Sequence, residues 1–189
     1  MSDGPLLWYV NRGTGVVLLA LLTAVTVLGI LARRTRAGGR LPGFVVPALH
    51  RNCALIAVAL LLAHVATAVA DEYVDIRWWQ AIVPWALSYR PLWLGLGTVA
   101  SDLVALVVLT SAVRTRIGHR TWRAVHWTSY AAWGLGVVHG LGTGTDGGES
   151  WARWAYIASI AGVALAFALT LGLRKAGRRR RTQRSPVAR

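Results

Sequence analysis

The sequence predicts an all-α, polytopic membrane bundle of about five transmembrane helices, with its amino terminus outside and its carboxyl terminus in the cytoplasm. Three observations point there. Of 189 residues, 55% are hydrophobic and only 15% are charged. The apolar residues form blocks that reach the roughly 20 residues a helix needs to cross a bilayer core. Basic residues crowd into alternate segments between those blocks, the distribution that orients helices in a membrane.

The first block, residues 8–32, has no basic stretch before it and is too long for the core of a signal peptide, so it is expected to be a retained helix. Four more spans follow at 46–70, 92–113, 122–142 and 152–173. Arg33, Arg34, Arg36, Arg40 and Arg51 surround the first connection, and Arg114, Arg116, Arg120 and Arg123 the third. Eight Lys/Arg fill residues 174–189, expected to be a basic cytoplasmic tail after a membrane domain at 1–173. The second and fourth connections instead hold Asp71, Glu72, Asp75, Asp146 and Glu149, beside Arg77, Arg90 and Arg153. Every connection agrees on one orientation, which suits a multi-pass protein of a bacterial cytoplasmic membrane. The same distribution accounts for the net charge of +14 without nucleic acid.

Between spans two and three, Tyr73 to Pro91 carries Trp78, Trp79, Trp85 and Tyr89. This composition suits an interfacial helix or re-entrant loop, serving either as an aromatic anchor or as a cap over a cofactor. The glycine-rich stretch from Gly140 to Gly148 follows a membrane helix, not a strand, and reads as a flexible outer loop.

Metal-binding and ionisable side chains inside a bilayer are costly. Span two nevertheless carries His50 and His64, and span four His126 and His139. A lone histidine in a membrane helix is usually a packing residue. Four, paired by depth on two helices running the same way, point to ligation. His64 follows His50 by 14 positions and His139 follows His126 by 13. These spacings are rises of about 21 and 19.5 Å. Each depth thus offers two imidazoles from opposite helices, the arrangement that holds a haem iron on both faces. The single cysteine, Cys53, excludes an internal disulfide, a thiolate iron–sulfur cluster and covalent haem attachment, so the expected cofactor is haem b, in two copies. His50/His126 would hold an inner haem and His64/His139 an outer one. Fourteen helical steps leave His64 within about 40° of His50, whereas thirteen put His139 about 140° from His126. A bend or π-bulge at Gly134 and Gly136 would restore the facing.

Arg51, Arg120 and Arg123 lie at the inner level and Arg12 at the outer, where guanidinium forks suit haem propionates; topology-setting charge explains them equally well. His119 has no partner at its depth and reads as a surface residue. Asp102, near the middle of span three, is expected to be neutral and bonded to a neighbouring helix.

The spacings His-x13-His and His-x12-His, on one helix and the next but one, resemble the ferric reductase-like transmembrane domain superfamily. The stretches Leu49-His-Arg-Asn, Tyr89-Arg-Pro-Leu-Trp-Leu-Gly, Trp122-Arg-Ala-Val-His-Trp and Val138-His-Gly-Leu-Gly-Thr-Gly-Thr-Asp look like its short bacterial members. That superfamily includes NADPH oxidases, ferric reductases and the haem subunit of a methionine-sulfoxide reductase system, and the resemblance covers about residues 6 to 173. It implies electron transfer across the membrane to ferric iron, a flavin partner, oxygen or another acceptor. It also implies a separate flavoprotein or FMN-binding partner, because the residues after Leu173 are too few for the flavin and nicotinamide domains of the oxidases. Many relatives have six spans, so one peripheral helix is expected to be missing. Two readings from other classes remain open: a non-catalytic membrane anchor with structural histidines, and a transporter with a histidine-lined path.

Overall fold

The computed structural model describes residues 6–35, 42–71, 76–86, 89–144 and 149–183, with side chains at 33–35 and beyond 172 left out. Five long helices are present: α1 (Leu6–Thr35), α2 (Val45–Ala70), α3 (Pro91–Ala112), α5 (His119–Thr143) and α6 (Ser150–Gln183). A four-residue helix, α4 (Arg114–Ile117), lies in the third connection. Segments of α1, α2, α3 and α6 are long and apolar enough to cross a membrane. This makes the chain a multi-pass membrane protein. The fifth long helix, α5, has 25 residues, but its histidines, arginines and glycines make it more polar. It packs along α3 and against α1.

Local chemistry sets the helix ends. Pro91 occupies the first turn of α3, where its missing N–H is harmless. Gly118, at φ 77°, reverses the chain between α4 and α5 in a conformation that costs an L side chain about 1 kcal/mol or more. Two non-glycine residues also have positive φ, Trp85 (61°) and Arg90 (41°). Both are held by contacts that outweigh the local strain. The Trp85 indole lies on Gly95, and Arg90 Nη1 donates to the Gly142 carbonyl at 2.9 Å, tying the start of α3 to the end of α5.

The helices assemble as two antiparallel hairpins, α1 with α2 and α3 with α5; α6 lies against α1. The core between α1, α5 and α6 centres on Ile30, Val163 and Ala166, flanked by Val27, Tyr130 and Trp133. Beside it, Trp133 Nε1 donates to Thr23 Oγ1 at 3.1 Å, and Thr23 is in turn bonded to Ser159 at 2.5 Å. Polar groups in a low-dielectric interior need such partners. Large apolar side chains such as Leu55, Leu62, Leu109 and Leu165 are exposed, at 59–67%. In water that would be costly, and in lipid it is expected.

The structure changes four expectations. First, α5 is continuous, without a π-bulge, and nothing lies within 4 Å of a methyl added at Gly134 or Gly136. Their open surroundings create no pressure to break the helix, so the azimuth is absorbed elsewhere. Second, α6 runs on to Gln183, so the basic segment begins as a helical continuation of the last span. Third, Asp102, half-buried on α3, makes no hydrogen bond or ion pair with any described residue. Fourth, the described part of the aromatic segment contains a 3-10 turn, Trp78–Ala81, too short for an interfacial helix; Tyr73 to Asp75, Leu87 and Ser88 lie outside the described residues. Gln80 fastens this turn, accepting from Arg77 N at 2.8 Å and donating to Ala86 O at 3.0 Å.

Candidate functional site

All four histidines of the spans point to the interior between the hairpins, but they are held in different ways. On α2, His50 Nδ1 lies 2.9 Å from the Val25 carbonyl and His64 Nδ1 lies 3.0 Å from the Asn11 carbonyl, both on α1. On α5, His139 Nδ1 lies 2.9 Å from the Trp93 carbonyl on α3. A carbonyl can only accept, so in each case Nδ1 carries the proton and donates it. Nε2 is then left with a lone pair, the state a metal-ligating imidazole needs. His126 is positioned by aromatic stacking instead. Its ring lies 5.0 Å from that of Trp122, one turn earlier, at an interplanar angle of 28°. Trp122 is fixed by donating Nε1–H to Ser111 Oγ at 3.2 Å.

The inner pair faces across the hairpins. The His50 and His126 ring centres are 6.2 Å apart, with planes at 62°. An iron held between two imidazole nitrogens at about 2 Å each separates the ring centres by about 6 Å, so this pair has the spacing for a shared iron. The outer pair, His64 and His139, lines one cavity of about 330 Å³ whose walls are mostly apolar. That size and lining suit a cofactor site. The difference in azimuth along α5 is taken up by the way each ring is held, with His139 turned onto α3 and His126 laid over Trp122.

The two histidine-bearing helices barely touch. α2 packs on α1 and α5 packs on α3, with little direct contact between α2 and α5 themselves. The cavity is lined by His64 and His139, whereas at the other depth the His50 and His126 rings approach each other edge to face. Among the described residues, no cluster of three or more His, Cys, Asp or Glu side chains could hold a metal ion. Two paired imidazoles are a donor set that would suit haem iron and not a tetrahedral zinc site.

The predicted arginines separate. Arg12 lines the outer cavity, with its guanidinium 4.6 Å above the Trp8 ring. Arg51, next to His50, and Arg123, three residues before His126, are exposed. His119 is exposed as expected, but its ring lies 5.5 Å from Trp122, so His119, Trp122 and His126 form an aromatic ladder along one face of α5. Ile76 and Ala81 of the aromatic segment line the cavity, while Trp78, Trp79 and Trp85 stay more than half exposed.

Three features of the site escaped the sequence. Asn11 donates from Nδ2 to the His64 carbonyl at 2.7 Å and to Thr67 Oγ1 at 3.2 Å. Trp122 had a usable signal, its i, i+4 spacing to His126. Arg153 and Tyr156 of α6 reach the cavity, but no spacing in the chain connects that helix to the histidines.

Residues 14–137 match a family model described as ferric reductase like transmembrane component. The match stops two residues short of His139 and includes neither Asn11 nor α6. No curated protein and no solved structure matches the chain.

Proposed function

Because the chain belongs to the ferric reductase-like transmembrane component family, we propose that it is a b-type dihaem protein of a bacterial cytoplasmic membrane that passes electrons across the bilayer. The observation that supports this reading is the pairing of imidazoles from α2 and α5, His50 beside His126 and His64 with His139 in one cavity. His50 and His126 would hold the inner haem, and His64 and His139 the outer.

Each bound haem would supply a one-electron iron couple, closed on both faces by histidine and so suited to outer-sphere transfer. The chain's own residues do the rest. The carbonyls of Asn11, Val25 and Trp93 hold three imidazoles with Nε2 inward. The apolar walls of the outer cavity keep water from the site, and Arg12 places a positive charge at its mouth, where propionates would be neutralised. With the cytoplasm negative, outward movement of an electron is favoured by up to about 2.3 kcal/mol per 100 mV for full crossing. The donor is a separate flavoprotein or FMN-binding partner on the basic side, and the acceptor is ferric iron, a flavin or oxygen.

A reduced-minus-oxidised spectrum of the purified protein tests the proposal. The expected result is b-type absorbance with two haems per chain, reduced by about half in His64→Ala and in His50→Ala. A protein without such absorbance would be a membrane anchor or transporter with structural histidines.

A further inference from the structure

Three of the four histidines meet the same local construction on a neighbouring helix. His64 Nδ1 bonds the Asn11 carbonyl, and its ring lies over Gly15, four residues on; a methyl added there would be 3.1 Å from Cε1. His50 Nδ1 bonds the Val25 carbonyl, and its ring lies over Gly29, again four residues on, with Cε1 at 3.3 Å from the added methyl. His139 Nδ1 bonds the Trp93 carbonyl, and its ring lies over Gly97, four residues on, with Nδ1 at 2.5 Å and Cε1 at 2.6 Å. In an α-helix, residues i and i+4 sit one above the other on the same face. A carbonyl at i with a glycine at i+4 therefore makes a notch, an acceptor beside a missing side chain, just wide enough for an imidazole edge.

The spacing of the notches repeats that of the ligands. Gly15 and Gly29 are 14 positions apart on α1, as are His50 and His64 on the antiparallel α2. The register that seats His139 on Trp93 and Gly97 runs on to Leu106 and Thr110 at the level of His126. There the i+4 position has a side chain, and Thr110 Oγ1 donates to the Leu106 carbonyl itself, at 2.7 Å. His126 is laid on Trp122 instead.

We propose that Gly15, Gly29 and Gly97 are positioning residues, each completing a carbonyl–glycine notch that fixes the rotation and tautomer of one histidine, and that α1 serves α2 as a template carrying two such notches. This rests on the haem-ligand reading of those histidines. Glycine in a helix interior costs roughly 0.5–1 kcal/mol relative to alanine, so alanine at these three positions would ordinarily stabilise. The notch reverses that expectation, because the methyl must displace the ring.

The test uses the haem-loaded protein and five alanine variants. G15A, G29A and G97A alter notches, whereas G13A on α1 and G134A on α5, the helix that carries His139, place a methyl in open space. Low-temperature electron paramagnetic resonance reports the angle between the two axial imidazoles, and a redox titration reports the midpoint of each haem. The expected result is a shift of one low-spin signal and its midpoint in G15A, with the other haem unaltered. G29A should shift the other haem and G97A the same one as G15A. The order of effect should be G97A, then G15A, then G29A, following the contact distances, while G13A and G134A match the unmutated protein. G29A asks the ring to give by only a few tenths of an ångström, so it decides the matter even where G97A fails to fold. Haem signals in G15A and G29A indistinguishable from those in G13A overturn the notch. No b-type haem in the unmutated protein overturns the haem reading, and the notch with it.

Discussion

At Asn11 a single side chain joins two helices, donating to the backbone of His64 and to the hydroxyl of Thr67. Removing it leaves a carbonyl and a hydroxyl on α2 short of a donor in a setting with little water. N11A is expected to destabilise by about 1–2 kcal/mol, or several degrees in a thermal melt in detergent. An unchanged melting temperature would mean that those bonds are made equally well by solvent. Trp122 makes a more local claim. W122F keeps a ring beneath His126 and loses only the bond to Ser111, whereas W122A loses the stack that orients it. W122A should therefore disturb the spectrum of one haem and leave the other, and W122F should disturb it less. A third pair of variants concerns Arg90, whose backbone sits at φ 41° while its guanidinium bonds Gly142. Both R90G and R90A lose the bond, but glycine accepts that backbone and alanine does not. R90A should be the less stable of the two by about 1 kcal/mol, read as a difference in melting temperature.

At the scale of the helices, hydropathy and charge located the spans because a bilayer tolerates few other solutions. The depth pairing of the histidines was equally legible, since rise per residue is nearly constant along a helix. Rotation was not. The 13-residue step on α5 looked like a defect that needed a bulge, and the helix is intact. The answer lay on other helices, in Gly97 of α3 and in the stack on Trp122, and no pattern within α5 itself reveals them. Glycines inside a span ordinarily signal close helix packing, so Gly15, Gly29 and Gly97 carried no distinguishing mark. Their function depends on a partner ring known only from the fold. Register gives a prediction of its own: one alanine inserted between Leu21 and Leu22 turns the two halves of α1 by about 100° relative to each other. Only one notch then stays aligned with α2, and haem content should fall by about half. Full content after the insertion would show that α1 is no template.

For the molecule as a whole, the two hairpins divide the labour unevenly. Each brings one histidine-bearing helix and one that holds the rings from behind, α1 for α2 and α3 for α5. The orientation drawn from the charges has a direct check. A fluorescent protein fused after Gln183 should light up in the cytoplasm, and alkaline phosphatase fused at the same point should stay inactive. The opposite pattern would invert the direction assigned to the electron path. The family match covers the hairpins and leaves out α6, although Arg153 and Tyr156 of α6 help to wall the outer cavity.

The slight contact between α2 and α5 also bears on how the protein is made. On the proposed reading a haem held between α2 and α5 would add a second join to hairpins that otherwise meet through α1 and α5, where Trp133 bonds Thr23. The hairpins could then be inserted one after the other and coupled last. Until haem binds, the histidines of α2 and α5 would lack the group that couples them. On this view haem supply acts as a checkpoint on the protein's lifetime. Cells starved of haem precursor should make the chain at the usual rate and lose it quickly, and a pulse–chase experiment would register the difference.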